Sequence, residues 1–398
     1  MLIKITKLIK ILKVCWKAKK IWTKPNAAKV LIYDRVGSEN FLQYLAENHV
    51  EILDIRGESI NFYIILKLIC DKKIINKHNY MDLYIKVIDP LIVMTFIDNS
   101  ISFYKIQLKN PNAKKIFVQN GMRGELGDIF AYLQKNNSYH VDYMLTFSYP
   151  IGFKYQQYIQ GEVMVIGGFK NNSFSKGKIL SDKKSVLFIS EYHPEPGLKN
   201  SPFWVEPDGR SVSWDDCFAA EFKLLPFLKN YCAKHNLILK IAARTHVIDG
   251  AEYQYFKKIL GDKGWCYYPN CSPFSSYQLV ESSEFIVSID STLGYEALAR
   301  GKKTACFSIR SFSVYNRSTK FGWPAKLPEY GPFWTNHADD QEFERVINYV
   351  TTASDKEWQQ TWQHYMADIM EYDPSNTRFR KLMCELGVPL KLEYTDVQ

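Results

Sequence analysis

One stretch of 23 residues, 285–307, constrains this chain more than any other: FIVSIDSTLGYEALARGKKTACF. It reads as a buried strand, a tight polar turn, a helix, a glycine stop and a second buried strand. Residues 285–289 are short, apolar and β-branched, as in a parallel strand covered on both faces. Asp290, Ser291 and Thr292 are residue types that start helices, and Leu293, Ala297 and Leu298 fall at helical spacing. Gly294 lets backbone come close to a ligand. Gly301 ends the helix, and residues 304–307 begin the next strand. A helix N-terminus rich in hydroxyls, placed after a parallel strand, suits a phosphate, because free N–H groups and the helix dipole face the anion. Glu296, one turn into the helix, is positioned for the two hydroxyls of a ribose. An ordinary strand–helix unit with a good cap would look the same at this stretch alone, so the other strand ends matter.

A chain of 398 residues exceeds one typical core and points to two domains of roughly 150–200 residues each. Its 46% hydrophobic and 23% charged residues are those of an ordinary globular protein. The 15% aromatic share suits stacking on sugars or bases, and equally a large core. The eight cysteines form no CxxC and have no histidine at metal spacing, so reduced thiols and a cytoplasmic setting are expected.

The net charge of +9 is concentrated at one end. Residues 1–24 hold eight lysines and no acid, which leaves 9 − 8 = 1 for the rest of the chain. Leu2, Ile5, Leu8, Ile9, Leu12, Cys15 and Trp16 gather on one helical face, and Lys10, Lys13, Lys17 and Lys20 on the other. Lysines this frequent forbid a transmembrane span, and no secretory cleavage pattern follows. A basic amphipathic helix ended by Pro25 is therefore expected to lie on an anionic membrane surface. A nucleic-acid arm would carry less Leu and Ile, and a nucleic-acid-binding body would be more basic, so nucleic acid is not expected as a partner.

From residue 28 onward, short apolar runs alternate with helical stretches. Strands are expected at 29–33, 50–54, 91–97, 115–119, 143–147 and 162–166, with helices at 39–48, 60–70 and 100–110 between them. A polar linker covers 167–184. A second alternating series follows, with strands at 185–190, 237–242, 265–268, 285–289 and 304–307 and helices at 218–235, 251–260 and 276–282. Helices are expected at 341–352, 355–370 and 375–386. The expected division is a membrane-surface helix at 1–24, an N-terminal Rossmann-like domain at 25–175, a C-terminal one at 176–340, and closing helices at 341–398. The fold class is α/β, with two doubly wound domains and a cleft between them.

Polar clusters fall just after strands, where such a fold places its ligands. They are Asp98-Asn99-Ser100, Asn120-Gly-Met-Arg123-Gly-Glu125, Ser190-Glu191-Tyr-His193-Pro194, Arg244-Thr-His246 and Asp290-Ser291-Thr292. Arg244 and His246 suit a phosphate held beside Ser291 and Thr292. Asp98, Glu125 and Glu191 supply carboxylates for acid, base or nucleophilic work, with Arg123 and His193 beside them in sequence. No GxGxxG follows a first strand, which disfavours dehydrogenase chemistry.

Three of these segments, Asn120–Glu125, Arg244-Thr-His246 and 290–303, resemble bacterial surface-carbohydrate glycosyltransferases of the GT-B fold. More narrowly, the chain is similar to transferases that move Kdo or nonulosonic acids from CMP donors in O-antigen, capsule or lipopolysaccharide synthesis. The resemblance covers most of residues 28–340. It implies that the C-terminal half binds the nucleotide sugar and the N-terminal half the acceptor. It further implies no metal or other cofactor, and a lipid-linked or lipopolysaccharide glycan acceptor at the inner face of the bacterial inner membrane. Sialyltransferase-like relatives carry His-Pro after the donor-domain strand. Here His246 precedes Val247 while His193 precedes Pro194, so either histidine is a candidate phosphate contact. The alternatives are a CDP-polyol phosphotransferase of the teichoic-acid type and a non-catalytic glycan-binding scaffold.

Overall fold

The computed structural model describes residues 16–133, 138–175, 182–196, 202–205 and 209–394. Six strands build the first sheet: β1 (Val30–Tyr33), β2 (Val50–Leu53), β3 (Ile92–Thr95), β4 (Lys114–Val118), β5 (His140–Thr146) and β6 (Gln160–Val165). Their order is β2-β1-β3-β4-β5-β6 and every pairing is parallel. The second sheet holds β7 (Asp182–Ile189), β8 (Ile238–Ala242), β9 (Cys266–Tyr268), β10 (Ser283–Ser288), β11 (Thr304–Phe307), β12 (Tyr330–Gly331) and β13 (Trp334–Thr335). Its order is β9-β8-β7-β10-β11-β13-β12, parallel except at the β12–β13 edge.

The apolar runs become strands because both of their faces are covered. Successive side chains of a strand point to opposite faces. Leu31, Tyr33, Val93 and Phe117 accordingly enter one apolar cluster, while Val30, Ile32, Ile92, Met94, Ile116 and Val118 enter another. The second sheet divides in the same way: Val186, Phe188 and Val287 face one side, and Leu187, Ile189 and Ile286 the other. Doubly wound sheets require this two-sided burial, which agrees with the α/β class read from the sequence.

Two differences from the expected elements have clear causes. Residues 19–21 were expected to be helical, yet Lys19–Ile21 is a strand paired in parallel with Ser59–Asn61. Asn61 also donates from Nδ2 to the Thr23 carbonyl at 3.1 Å, so neighbouring backbone, rather than a helix, supplies this segment's partners. Residues 1–15 of the expected amphipathic helix lie outside the described residues. At the other end, the chain returns to the first half. Phe379, Leu382 and Met383 of the helix Thr377–Glu385 join Phe41 and Phe169 against the first sheet. Asn376 anchors that return: its Nδ2 donates to Tyr44 Oη at 3.0 Å and to the Phe169 carbonyl at 2.9 Å.

The halves also meet directly. Met122 N–H donates to Thr292 Oγ1 at 2.9 Å, and Glu125 N–H to Ser318 Oγ at 2.8 Å. Arg317 grips the Glu125 carboxylate through Nε and Nη2, both at 2.8 Å, and Lys154 Nζ adds a third contact at 3.0 Å. The Arg317 hydrogen bond, helped by Lys154, holds the Glu125 carboxyl below its usual range. A depressed carboxylate stabilises the folded state above its unfolded pKa, about 4.3 for Glu, and that stability is lost as pH falls through the lower folded value. Glu125→Gln is therefore expected to unfold at a lower temperature than wild type at pH 7. The gap should close as pH drops below about 4. Thermal melts of both proteins between pH 3 and 7 check this, and a gap independent of pH would count against the ion pairs.

Candidate active site between the two halves

The carboxyl ends of the strands in both sheets open onto a cavity of about 540 Å³. Arg123, Glu191, His193, Arg244, Asp290, Ser291 and Thr292 all line it, so six of the strand-end candidates from the second half, and one from the first, meet at a single cavity.

At its floor sits Arg310, which the sequence reading missed. This buried guanidinium donates from Nε to Asp290 Oδ2 at 2.8 Å and from Nη2 to Asp290 Oδ1 at 2.9 Å. Nη2 also reaches Glu191 Oε2 and Glu221 Oε1, each at 3.2 Å, and Nη1 donates to the Cys217 carbonyl. One cation thus serves three carboxylates, and protonation must make up the difference. Burial raises the Glu191 carboxyl well above its usual range, and the neighbouring Asp290 charge and hydrogen bond raise it further. Burial acts in the same direction on Asp290, but Arg310 and the hydrogen bond from Glu191 outweigh it and hold Asp290 at about 2. The pair therefore holds a proton on Glu191 and a charge on Asp290, with about a quarter of each side chain open to the cavity. Glu221, in the interior of the helix Trp214–Lys234, is pushed by burial to about 7.

Arg244 Nη1 meets His193 Nε2. Burial, then Arg244 and Arg310, lower the His193 pKa, so the ring is neutral at neutral pH and accepts at Nε2. The loop that carries Arg244 is fixed from below by Glu252, another residue the sequence reading missed. The Glu252 carboxylate accepts from Arg244 N–H at 2.9 Å, Thr245 N–H at 2.8 Å and Ser190 Oγ at 2.5 Å. His246 is exposed and does not line the cavity; of the two histidines, His193 is the one at the site.

The helix Thr292–Ala299 aims its N-terminus at this space. No side chain caps it, and Ser291 Oγ is left on the cavity wall. Gly294 proves to be a packing residue: a Cβ there would lie 2.4 Å from Ser288 Cβ and Oγ, so only glycine lets the helix sit this close to β10. Glu296 is buried and accepts from Tyr277 Oη at 2.7 Å, and burial raises it to about 7. It lines a second cavity of about 270 Å³ with Phe147, Phe169, Lys170, Asn270 and Tyr277. Thr292 lines both cavities, which therefore flank the helix start.

The first half contributes Arg123 and Asp128. Arg123 is held by Asp98 through Nε at 2.7 Å and Nη2 at 2.5 Å, while Nη1 approaches Asp128 at 3.8 Å. Asp98 is fully buried; it also accepts from Tyr155 Oη at 2.5 Å and Asn120 N–H at 3.2 Å. Expected among the cavity carboxylates, Asp98 instead stands behind the wall and orients Arg123. Glu125, likewise expected there, is held in its ion pairs with Arg317 and Lys154 and does not line the cavity. Asp128 does line it. As the cap of the short helix Ile129–Tyr132 it accepts from Ile129 N–H at 2.7 Å, and burial raises its carboxyl despite Arg123. Trp204 closes this side: a Cβ on Gly127 would lie 2.8 Å from its ring. Among the described residues, no group of three or more His, Cys, Asp or Glu side chains is arranged to hold a metal ion.

The same architecture occurs in solved structures of low sequence identity. UDP-GlcNAc 2-epimerase from Methanocaldococcus jannaschii, in complex with UDP-GlcNAc and UDP, aligns with 89% of this chain and 99% of its own at a TM-score of 0.51 and 8% identity. MnaA of S. aureus in complex with UDP covers 93% of this chain and 98% of its own, with a TM-score of 0.49 and 10% identity. The wall teichoic acid polymerase TagF covers 90% and 89%, with a TM-score of 0.44 and 10% identity. The first of these likenesses, together with the two parallel sheets and the cleft, defines a GT-B-like protein. No curated protein sequence matches the chain. A family model described as "putative O-antigen biosynthesis protein" matches residues 116–386, and the chain belongs to that family.

Proposed function

We propose that the protein is a glycosyltransferase that moves a Kdo-like or nonulosonic acid sugar from a CMP-activated donor to a membrane-linked surface glycan, without a metal. The observation that carries this reading is the pair of cavities on either side of Thr292, which lines both. The smaller one suits a nucleoside, with aromatic walls at Phe147 and Phe169 and Glu296 for the ribose hydroxyls. The phosphate then falls at the Ser291–Thr292 helix start, where free N–H groups, the helix dipole and Arg244 meet its charge. The sugar extends into the larger cavity, and Arg123 Nη1 is the atom we assign to its carboxylate. Membership in an O-antigen biosynthesis family supports a surface glycan as the acceptor.

In this reading Asp128, on the acceptor half, takes the proton of the attacking hydroxyl. The bond from that oxygen to the anomeric carbon forms as the bond from the anomeric carbon to the phosphate oxygen breaks. Glu191 delivers its proton to the leaving phosphate, and Asp290, fixed by Arg310, stays charged beside it. The test is incubation of the purified protein with CMP-Kdo or a CMP-nonulosonate and a membrane fraction carrying the glycan. Release of CMP coupled to labelled glycan supports the reading; release of CMP from CDP-glycerol or CDP-ribitol instead would favour the polyol-phosphate alternative. A protein that binds glycan and turns over neither donor would be the scaffold.

A further inference from the structure

The helix Phe62–Cys70 carries a single charged residue, Lys67, and keeps apolar side chains on its solvated face as well as its buried one, which a surface helix ordinarily does not. Its inner residues Ile64 and Leu68 are fully buried. Its outer stripe at Phe62, Leu66 and Ile69 follows helical spacing, and Leu66 and Ile69 are 51% and 54% exposed. The turn that follows adds Ile74 at 76% and Ile75 at 53%. Trp22 stacks on Phe62 with ring centroids 4.4 Å apart, and it is 64% exposed in turn. Strand pairing of Lys19–Ile21 with Ser59–Asn61 fixes this N-terminal segment beside the helix. The result is one apolar ridge built from two stretches of chain.

The charge around the ridge is predominantly positive. Residues 16–24 carry Lys17, Lys19, Lys20 and Lys24 and no acid; residues 62–77 carry Lys67, Lys72, Lys73 and Lys77 against Asp71. All eight lysines are exposed. Aliphatic and Trp side chains ringed by lysine match the hydrocarbon boundary and the anionic headgroups of a bilayer together. A soluble protein partner would need many acids to answer that ring, and a second copy of this chain would bring lysine against lysine.

We propose that the ridge formed by Trp22, Phe62, Leu66, Ile69, Ile74 and Ile75 inserts at the surface of an anionic bilayer, with the eight lysines on its headgroups. This contact belongs to the folded first half and adds to whatever residues 1–15 contribute. It stands apart from the donor reading, because docking on lipid needs no nucleotide.

The experiment is co-sedimentation of the full chain with vesicles of phosphatidylglycerol and phosphatidylcholine in equal parts, and with phosphatidylcholine alone. Three proteins are compared: wild type, Leu66→Gln/Ile69→Gln/Ile74→Gln, and the chain starting at Trp16. These three side chains are exposed, so the triple variant should keep the wild-type melting temperature. It is expected to lose roughly tenfold or more in partition to the anionic vesicles. The shortened chain should still bind them, and more weakly as salt rises. Equal binding by wild type and the triple variant would overturn the proposal. So would loss of all binding in the shortened chain, or no preference for the anionic vesicles. A triple variant that changes the oligomeric state by sedimentation without changing vesicle binding would make the ridge a contact between copies, and that too would overturn it.

Discussion

Arg310→Met is expected to cost about 3–5 kcal/mol of stability in the C-terminal half, the range for removing one partner of a buried ion pair. Glu221 is 2% exposed and Asp290 and Glu191 converge on the same guanidinium, so the variant leaves three carboxylates with no cation among them. Methionine fills much of the volume, and it retains contact with the Phe218 ring over which the guanidinium lies. The deficit is therefore electrostatic rather than a cavity effect. Its pH dependence has a definite sign. Burial already raises Glu221 to about 7 with Arg310 present, and losing the cation raises it further. A carboxyl whose folded pKa exceeds its unfolded value destabilises the folded state at high pH and less as pH falls. The variant should recover ground on wild type between pH 8 and pH 5. Urea unfolding across that range checks both points; equal midpoints for the two proteins would show that the three carboxylates need no counter-charge. Arg310→Lys, which keeps the charge and loses the fork, should fall between them.

Glu191→Gln is expected to lower turnover by about 10²–10⁴-fold, the span attributed to a positioned proton donor or acceptor. CMP affinity should stay within a few-fold, because most of the nucleotide contacts we assign lie elsewhere, at Ser291, Thr292, Arg244 and Glu296. Gln keeps the shape and the hydrogen bond toward Asp290 but has no proton to give to a leaving phosphate. Asp128→Asn should produce a loss of similar size for the complementary reason, as it removes the base on the acceptor side. The two can be told apart by pH. Loss of the acid removes the alkaline limb of the rate profile, and loss of the base removes the acidic limb. Rates for both variants with a CMP-sugar donor, measured from pH 5 to 9, decide the assignment. Unchanged turnover in Glu191→Gln would take Glu191 out of the chemistry.

Much of the architecture was legible because parallel strands buried on both faces announce themselves as unbroken apolar runs, as in β1, β3 and β11. Short surface helices were not. Residues 39–48 read as one helix but split into the short α-helix Ser38–Leu42 and a 3-10 turn at Glu47–His49, and residues 100–110 give only the α-helix Ile101–Tyr104. The pairing of Lys19–Ile21 was hidden because local periodicity in residues 1–24 favours a helix, and its partner strand lies some 40 residues away. The return of the Thr377–Glu385 helix to the first half depends on tertiary packing at Phe379, which no local pattern encodes.

The site divides in the same way. Polar residues directly after strands were found, and Glu191, His193, Arg244, Asp290, Ser291 and Thr292 do converge. Arg310 obeys the same rule, three residues beyond β11, and that signal was available in Ser308-Ile-Arg310. Glu221 and Glu252 were hidden because they come from helices, where a carboxylate ordinarily faces water. Asp98 and Glu125 were read for their charge, but partners distant in sequence decide their roles: Arg123 and Tyr155 for Asp98, Arg317 and Lys154 for Glu125.

Calorimetric titration of the purified protein with CMP, CDP, UDP and GDP, with and without magnesium, tests the central claim most directly. The account predicts that CMP binds at one site without metal, more tightly than UDP or GDP, and that Glu296→Ala weakens it. Preference for UDP or GDP, or binding that requires magnesium, would contradict it.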